Sequence, residues 1–233
     1  MNLKILTLNI HNYHNFKIRK PKIIALIKKY DPDIVALQEV RDDRAKNEEG
    51  EDQAKQLNDL LQFKHFIFIR SCELNKAKGL TNLPSKFEGL ALLSKFPFSY
   101  EEFKLIKQDD DKYNRKVLQS TITIGTQKVP IWIVHFSNSD TFAALHIKET
   151  LKHAESIQPI ILGDFNIKYP EQIQKLAKEN NYISSSDYNY ISFPEDNCSY
   201  DYIFIPTKFT FSQFECIEEE VSDHKALFAN IKL

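Results

Sequence analysis

Pro159-Ile160-Ile161-Leu162-Gly163-Asp164-Phe165-Asn166 is an apolar run of strand length that ends in a glycine. A carboxylate and a carboxamide follow it, two residues apart. On an extended backbone alternate residues point the same way, so Asp164 and Asn166 share a side and Phe165 turns to the other. Gly163 permits a tight strand end, and Asn166 suits the passage into a loop. Alone, the segment is equally a solvated strand end or a carboxylate aimed into a site. The rest of the chain bears on the choice, because the arrangement recurs.

Working outward, Lys128 to His135 alternates as a strand that closes on His135, and Asn138 to Asp140 offer N-caps for a helix through about His153. Gly125-Thr126-Gln127 turns this strand back on another, Lys116 to Ile124, and Tyr100 to Ile106 is a third. Downstream, a helix is expected from Pro170 to Glu179, with strands at Ser199–Ile205, Phe209–Ile217 and Ala226–Ile231. The first part of the chain has the same grammar. Leu3 to Ile10 alternates, with Asn9 near its end, and leads into the polar loop His11 to Asn15. Lys20 to Tyr30 has helical spacing with Pro21 near its start, and Ile34-Val35-Ala36-Leu37 is a buried-type strand ending in Gln38-Glu39. Two strands joined by a helix are usually parallel neighbours, so Asn9 and Glu39 should emerge on one rim. A helix at Gln53–Leu61, a strand at His65–Arg70 and the apolar run Glu88 to Ser94 complete the set. No internal repeat, linker or composition break divides residues 1–233, and one domain is expected.

Composition excludes some classes. The 31 basic residues balance 32 acidic ones, which argues against a basic, non-specific nucleic-acid binder but leaves room for a local basic groove. Cys72, Cys198 and Cys216 form no CxxC pair, so no disulfide framework or zinc knuckle is implied and a reducing, cytoplasmic setting fits. No signal-peptide pattern opens the chain, and no apolar run approaches the roughly 20 residues of a membrane helix. Asp109-Asp110-Asp111 lacks flanking ligand spacing and reads as a solvated acidic loop.

The polar groups at strand ends or starts are Asn9, Glu39, Glu88, His135, Asp164, Asn166, Asp201, Asp223 and His224. Singly, each is an ordinary turn former, solvated end or half-buried histidine. If they share a rim, the carboxylates repel unless a cation or protonated imidazoles lie among them. Carboxylate and amide oxygens suit magnesium or manganese better than zinc. Such a set is built for a phosphate ester.

These segments also resemble a known family. Leu6-Thr7-Leu8-Asn9, Leu37-Gln38-Glu39-Val40, Glu88-Gly89-Leu90-Ala91-Leu92-Leu93-Ser94, Val134-His135-Phe136, Gly163-Asp164-Phe165-Asn166, Tyr200-Asp201-Tyr202-Ile203 and Ser222-Asp223-His224 run through nearly the whole chain. In kind and order they are similar to the motifs of the endonuclease/exonuclease/phosphatase superfamily. That resemblance implies an α/β, four-layer sandwich like deoxyribonuclease I: two packed mixed β-sheets flanked by helices. It also implies a Mg²⁺-dependent hydrolase, with Mn²⁺ able to substitute, in which water attacks phosphorus in line. By the same resemblance, Glu39 is the main metal ligand, with Asn9 and Asp223 completing the shell. Asp164 aligns or deprotonates the water, and Asn166 holds the water or a phosphate oxygen. His135 and His224 contact the scissile phosphate as cations, oriented by Glu88 and Asp201 respectively, and Arg115 touches substrate phosphate.

Substrate is not implied, because the motifs serve many esters. Specificity is expected in the loops Arg41–Gly50, Asn75–Phe87, Gln108–Arg115 and Ser184–Asn197. Lys76, Lys78, Lys86, Arg115 and Lys116 offer a phosphate rim, and Tyr188 and Tyr190 offer base stacking, although both clusters also read as plain surface. A monomeric nuclease or phosphodiesterase acting on nucleic acid, without stable membrane association, is the leading expectation. The alternatives are a phosphatase for a small soluble ester, a phospholipid phosphodiesterase, and a non-catalytic binding protein on the same fold.

Overall fold

Two strand–helix–strand units set the plan. In the first, β1 (Asn2–Asn9), α1 (Phe16–Tyr30) and β2 (Ile34–Asp42) place β1 parallel to β2, with Asn9 beside Gln38. In the second, β7 (Gln127–His135), α3 (Asp140–Ala154) and β8 (Ile160–Asp164) place His135 beside Asp164. The remaining elements are α2 (Gln53–Leu61), β3 (His65–Glu73), β4 (Phe87–Ser94), β5 (Phe98–Lys104), β6 (Lys116–Ile124), α4 (Pro170–Glu179), β9 (Tyr182–Ser184), β10 (Asp201–Pro206), β11 (Thr210–Cys216) and β12 (Leu227–Lys232). They form two six-stranded mixed sheets, ordered β11-β12-β1-β2-β4-β3 and β5-β6-β7-β8-β10-β9. This computed structural model describes residues 1–43, 52–74, 86–106, 111 and 113–233. Most of the expected loops at 41–50, 75–87 and 108–115 lies outside them, as do Lys76, Lys78, Asp109 and Asp110.

Side-chain alternation explains the layers. Leu3, Ile5, Ile34 and Ala36 of one sheet meet Ile131, Ile133, Ile160 and Leu162 of the other. The intervening Leu6, Leu8, Val35 and Leu37 pack outward on Ile23, Leu26 and Ile27 of α1 and Leu57 of α2. On the far side Trp132, Val134 and Ile161 meet Ala143, Ile147 and Leu151 of α3 and Ile173 and Ala177 of α4. Each fully buried aliphatic contributes roughly 1.5–3 kcal/mol, so the two sheets hold each other as firmly as they hold their helices. The result is the expected four-layer sandwich. Continuing the same parity, Asn9, Glu88, His135, Asp164 and Asp201 fall on the inner faces. The apolar interior between the sheets therefore ends, at one edge, in a layer of polar groups.

Several boundaries differ from the sequence expectation. Helix α1 starts at Phe16 rather than Lys20, after Asn15 in a left-handed conformation (φ 49°), so Pro21 lies inside it. Pro21 is exposed, and it withholds one backbone N–H from the helix ladder. Strand β2 continues to Asp42 because an irregularity between Leu37 and Val40, with Glu39 at φ 53°, lets it pass a polar kink and re-pair with β4. Strand β9 is only three residues long, too short to show a period. Asp111 is buried, not solvated: Oδ1 accepts from Tyr113 N–H (3.1 Å), and Oδ2 lies 3.8 Å from His146 Nε2. Among the described residues no helix is long and apolar enough to cross a membrane.

Candidate active site

Asp164 is the hub. It ends β8, buried, with Oδ1 accepting from Asn166 N–H (2.9 Å) and Oδ2 from Asn9 Nδ2 (3.0 Å). His135 Nε2 lies 3.6 Å and His224 Nε2 3.9 Å from the same Oδ2. Asn9 Nδ2 also reaches Glu39 Oε1 (3.3 Å), and Asn12 Nδ2 donates to Glu39 Oε2 (3.1 Å). Asp223 completes the cluster through His11, whose Nδ1 lies 3.1 Å from Asp223 Oδ2. Residues far apart in the chain thus meet through the strand ends.

The two imidazoles differ. His224 Nδ1 pairs with Asp201 Oδ2 at 2.8 Å, and Ser192 Oγ donates to the same oxygen at 2.7 Å. Burial alone would lower the His224 pKa. The Asp201 charge and hydrogen bond, joined by Asp164 and Asp223, outweigh it and raise the value to about 10. This is the arrangement expected for Asp201. His135 departs from expectation. Its Nδ1 meets Arg115 Nη1 at 3.0 Å, and a guanidinium can only donate, so Nδ1 accepts and the ring is neutral with its proton on Nε2. Burial, with Arg115 and His224 adding positive charge, holds the His135 pKa well below its ordinary value. Glu88 does not reach the imidazole. It accepts from Arg115 Nη1 at 3.3 Å, and Asn138 Oδ1 accepts from Nη2 at 2.8 Å. The expected Glu88–His135 pair is therefore a Glu88–Arg115–His135 chain. Arg115 is buried and committed within it, rather than facing substrate.

Five carboxylates converge here: Glu39, Glu88, Asp164, Asp201 and Asp223. Burial, reinforced by the neighbouring Glu39, pushes Glu88 up to about 7 against the pull of Arg115. Burial, reinforced by Asp201, pushes Asp164 up to about 7 against His224 and the Asn9 and Asn166 hydrogen bonds. A divalent cation would relieve this repulsion, and the all-oxygen set Glu39 and Asp223 fits a hard ion. Asn9 turns its nitrogen to the two carboxylates and its Oδ1 to His11 N–H (3.0 Å), so it bridges them here. Asp164, Asp201 and His224 also offer ligand atoms within 4.8 Å of one another. There Asp201 takes up Nδ1 of the imidazole, and Nε2 faces Asp164 Oδ2 at 3.9 Å. Asn166, at φ 53°, leaves the extended path, so alternation stops before it. Its Nδ2 donates to Phe136 O (3.1 Å) and ties the end of β7 to the loop after β8.

Other expected contacts are used elsewhere. Lys116 pairs with Glu102 at 2.5 Å. Tyr188 stacks on Phe214, and Tyr190 is half-buried, its hydroxyl donating to Asp201 O (2.8 Å) from behind the site. Sequence reading missed Asn12, His11, Asn138 and Ser192, which are ordinary loop residues until the fold brings them to a carboxylate or guanidinium.

The shifts carry a sign. His224 contributes stability that is full below its ordinary value of 6.5 and is lost as pH rises toward about 10. Glu88 and Asp164, also raised, lose theirs as pH climbs from the usual carboxylate range through about 7. The metal-free protein should therefore resist urea less well as pH rises from 4 to 10. Asp201→Asn should flatten the part above 6.5 and bring the His224 NMR titration down; an unmoved titration would exclude the pairing.

Comparison with known proteins agrees with the fold. The structure of an endonuclease/exonuclease/phosphatase family protein from Leptotrichia buccalis superposes with a TM-score of 0.77 at 20% identity, covering 99% of this chain and 100% of that one. D. rerio TDP2 complexed with single strand DNA product gives 0.71 at 14% identity, over 100% and 99%. The mannosyl-6-phosphatase of Bacteroides thetaiotaomicron gives 0.74 at 14% identity, over 99% and 100%. No curated protein matches the sequence. The family model described as Endonuclease/Exonuclease/phosphatase family matches residues 6–224, so the chain belongs to that family.

Proposed function

We propose that this chain is a divalent-metal-dependent phosphoester hydrolase in which Asp164 aligns and deprotonates water for attack on phosphorus. The observation that carries the reading is Asp164 itself. One carboxylate oxygen faces both His135 Nε2 (3.6 Å) and His224 Nε2 (3.9 Å), while two amide donors hold the carboxylate in place. A carboxylate poised near neutrality can accept a proton from water at physiological pH. His224, cationic on Asp201, supplies positive charge to phosphoryl oxygens, and His135 supplies a neutral Nε2–H donor whose direction is set by Arg115. Glu39 and Asp223 would hold Mg²⁺ or Mn²⁺, which when bound stabilises charge on the transition-state and leaving oxygens. Asn9 keeps Glu39 and Asp164 apart at a set distance, and Asn166 anchors the strand ends.

For substrate, we take a phosphodiester, nucleic acid included, as the first candidate, and a small soluble phosphate monoester as the second. The second gains because two members of the expected basic rim are used within the fold. Arg115 is internal and Lys116 is paired with Glu102, so neither is presented to a polyanionic strand. With Mg²⁺, hydrolysis is expected in a panel of single- and double-stranded nucleic acid, bis-p-nitrophenyl phosphate, sugar and inositol phosphates, and sphingomyelin. It should disappear in EDTA and return with Mn²⁺. Inactivity on the whole panel, with no cation binding by calorimetry, would favour a binding protein on the same fold.

A further inference from the structure

The β1–α1 turn carries two successive left-handed residues, His11 and Asn12, at φ 48° and 41°. In this left-handed region Cβ crowds the following carbonyl, and residues with side chains remain there only when their surroundings hold them. The distortion has a use. Asn12 Nδ2 donates to Glu39 Oε2 (3.1 Å), and His11 Nδ1 sits 3.1 Å from Asp223 Oδ2. Two carboxylates assigned to a cation are thus held by adjacent residues of one strained turn.

One side chain underlies that turn. Arg19, half-buried in α1, donates from Nη1 to Ile10 O (2.7 Å) and Val221 O (3.3 Å). Its Nη2 donates to His11 O (3.0 Å), Asn12 O (3.2 Å) and His14 O (2.5 Å), and its Nε to His14 O (2.7 Å). Five carbonyls therefore accept from one planar group. Val221 leads directly into Ser222-Asp223-His224, so the same guanidinium ties the two segments that carry His11 and Asp223. Its charge also faces Asp223 and Glu39. A lysine ammonium, a single atom with three donors, cannot span this set.

We infer that Arg19 is a positioning residue: it sets the strained turn at 10–14 and the segment at 221–223, so that Asn12 and His11 hold Glu39 and Asp223 in place. Its catalytic consequence rests on the hydrolase reading above; its effect on the turn does not. The test compares wild type with Arg19→Ala and Arg19→Lys. Amide exchange read by mass spectrometry should quicken at least about tenfold over 10–14 and 221–224 in both variants, with β1 and β8 unchanged. Mn²⁺ affinity by calorimetry should fall about tenfold. On bis-p-nitrophenyl phosphate kcat should fall about a hundredfold with KM nearly constant. Low millimolar guanidinium should restore part of the Arg19→Ala loss and none of the Arg19→Lys loss. Unchanged exchange over 10–14 overturns the inference whatever the activity. Exchange loosened throughout the sheets also overturns it, by making Arg19 a general support of the fold. A wild type inactive on the whole substrate panel and without cation binding refutes the hydrolase reading alone, and the exchange data still decide Arg19.

Discussion

Asp164→Asn should reduce turnover on the best ester of the panel by about a thousandfold or more while leaving the protein folded. The substitution keeps shape. An asparagine Oδ1 can still accept from Asn166 N–H, as the carboxylate does at 2.9 Å. What it loses is the ability to take a proton from water, the negative charge between His135 and His224, and the acceptor that Oδ2 offers to Asn9 Nδ2 (3.0 Å). Because burial pushes Asp164 up to about 7, the ionised carboxylate is itself a strain on the metal-free fold, and its removal offsets the lost Asn9 hydrogen bond, so the melting temperature should change little. The His224 pKa should drop below about 10, since Asp164 is one of the charges that raise it, yet Asp201 remains to keep the ring cationic near neutrality. Steady-state kinetics, a thermal melt and the His224 titration test all three points. Turnover within tenfold of wild type would remove Asp164 from the chemistry.

Gly163→Ala should be strongly damaging to the site. At φ 138°, Gly163 occupies backbone space that residues with side chains rarely enter. A Cβ there would lie 2.1 Å from Val134 O and 3.1 Å from its carbonyl carbon. Neither atom is the end of a flexible side chain: both belong to β7, which pairs with β8 at Val134–Gly163 and His135–Asp164. Relief requires the strands to part at the register position just before the two functional residues. A loss of about 3 kcal/mol or more in urea unfolding is expected, with activity falling further than stability predicts because His135 and Asp164 move relative to each other. Gly125→Ala is the control. Its φ is 61°, but nothing lies within 4 Å of the added carbon, so only the conformational cost of about 1 kcal/mol should appear. Equal losses in the two variants would show that backbone conformation, not strand contact, governs Gly163.

Both predictions start from one short segment, and they separate two kinds of information. The apolar run, the glycine and the carboxylate at its end are local chemistry: strand period, turn permission and a charge that cannot stay in an apolar interior unpaired. The same holds at Asn9, Glu39, His135 and Asp201, so the rim and the family resemblance were readable from pattern and order. The parallel pairing of the first β–α–β unit, with polar ends on one side, followed from the same pattern, while the four-layer sandwich was what the resemblance implied. Bounds such as the start of α1 and the kink at Glu39 did not follow. They depend on left-handed residues that leave no period in the sequence.

The parts of the site that remained hidden are those made by contact at long separation. Nothing near Arg115 indicates that its guanidinium would lie between Glu88 and His135 and leave that imidazole neutral, when resemblance implied a cation oriented by a carboxylate. Nothing near Arg19, one basic residue among several in Lys17 to Lys22, indicates that it would bond five carbonyls. A guanidinium's partners are chosen by which backbone is within reach once the sheets have packed, and protonation follows from the burial and charges found there. Residue order carries the strand ends and their chemistry; packing assigns the protons and decides which groups face the substrate.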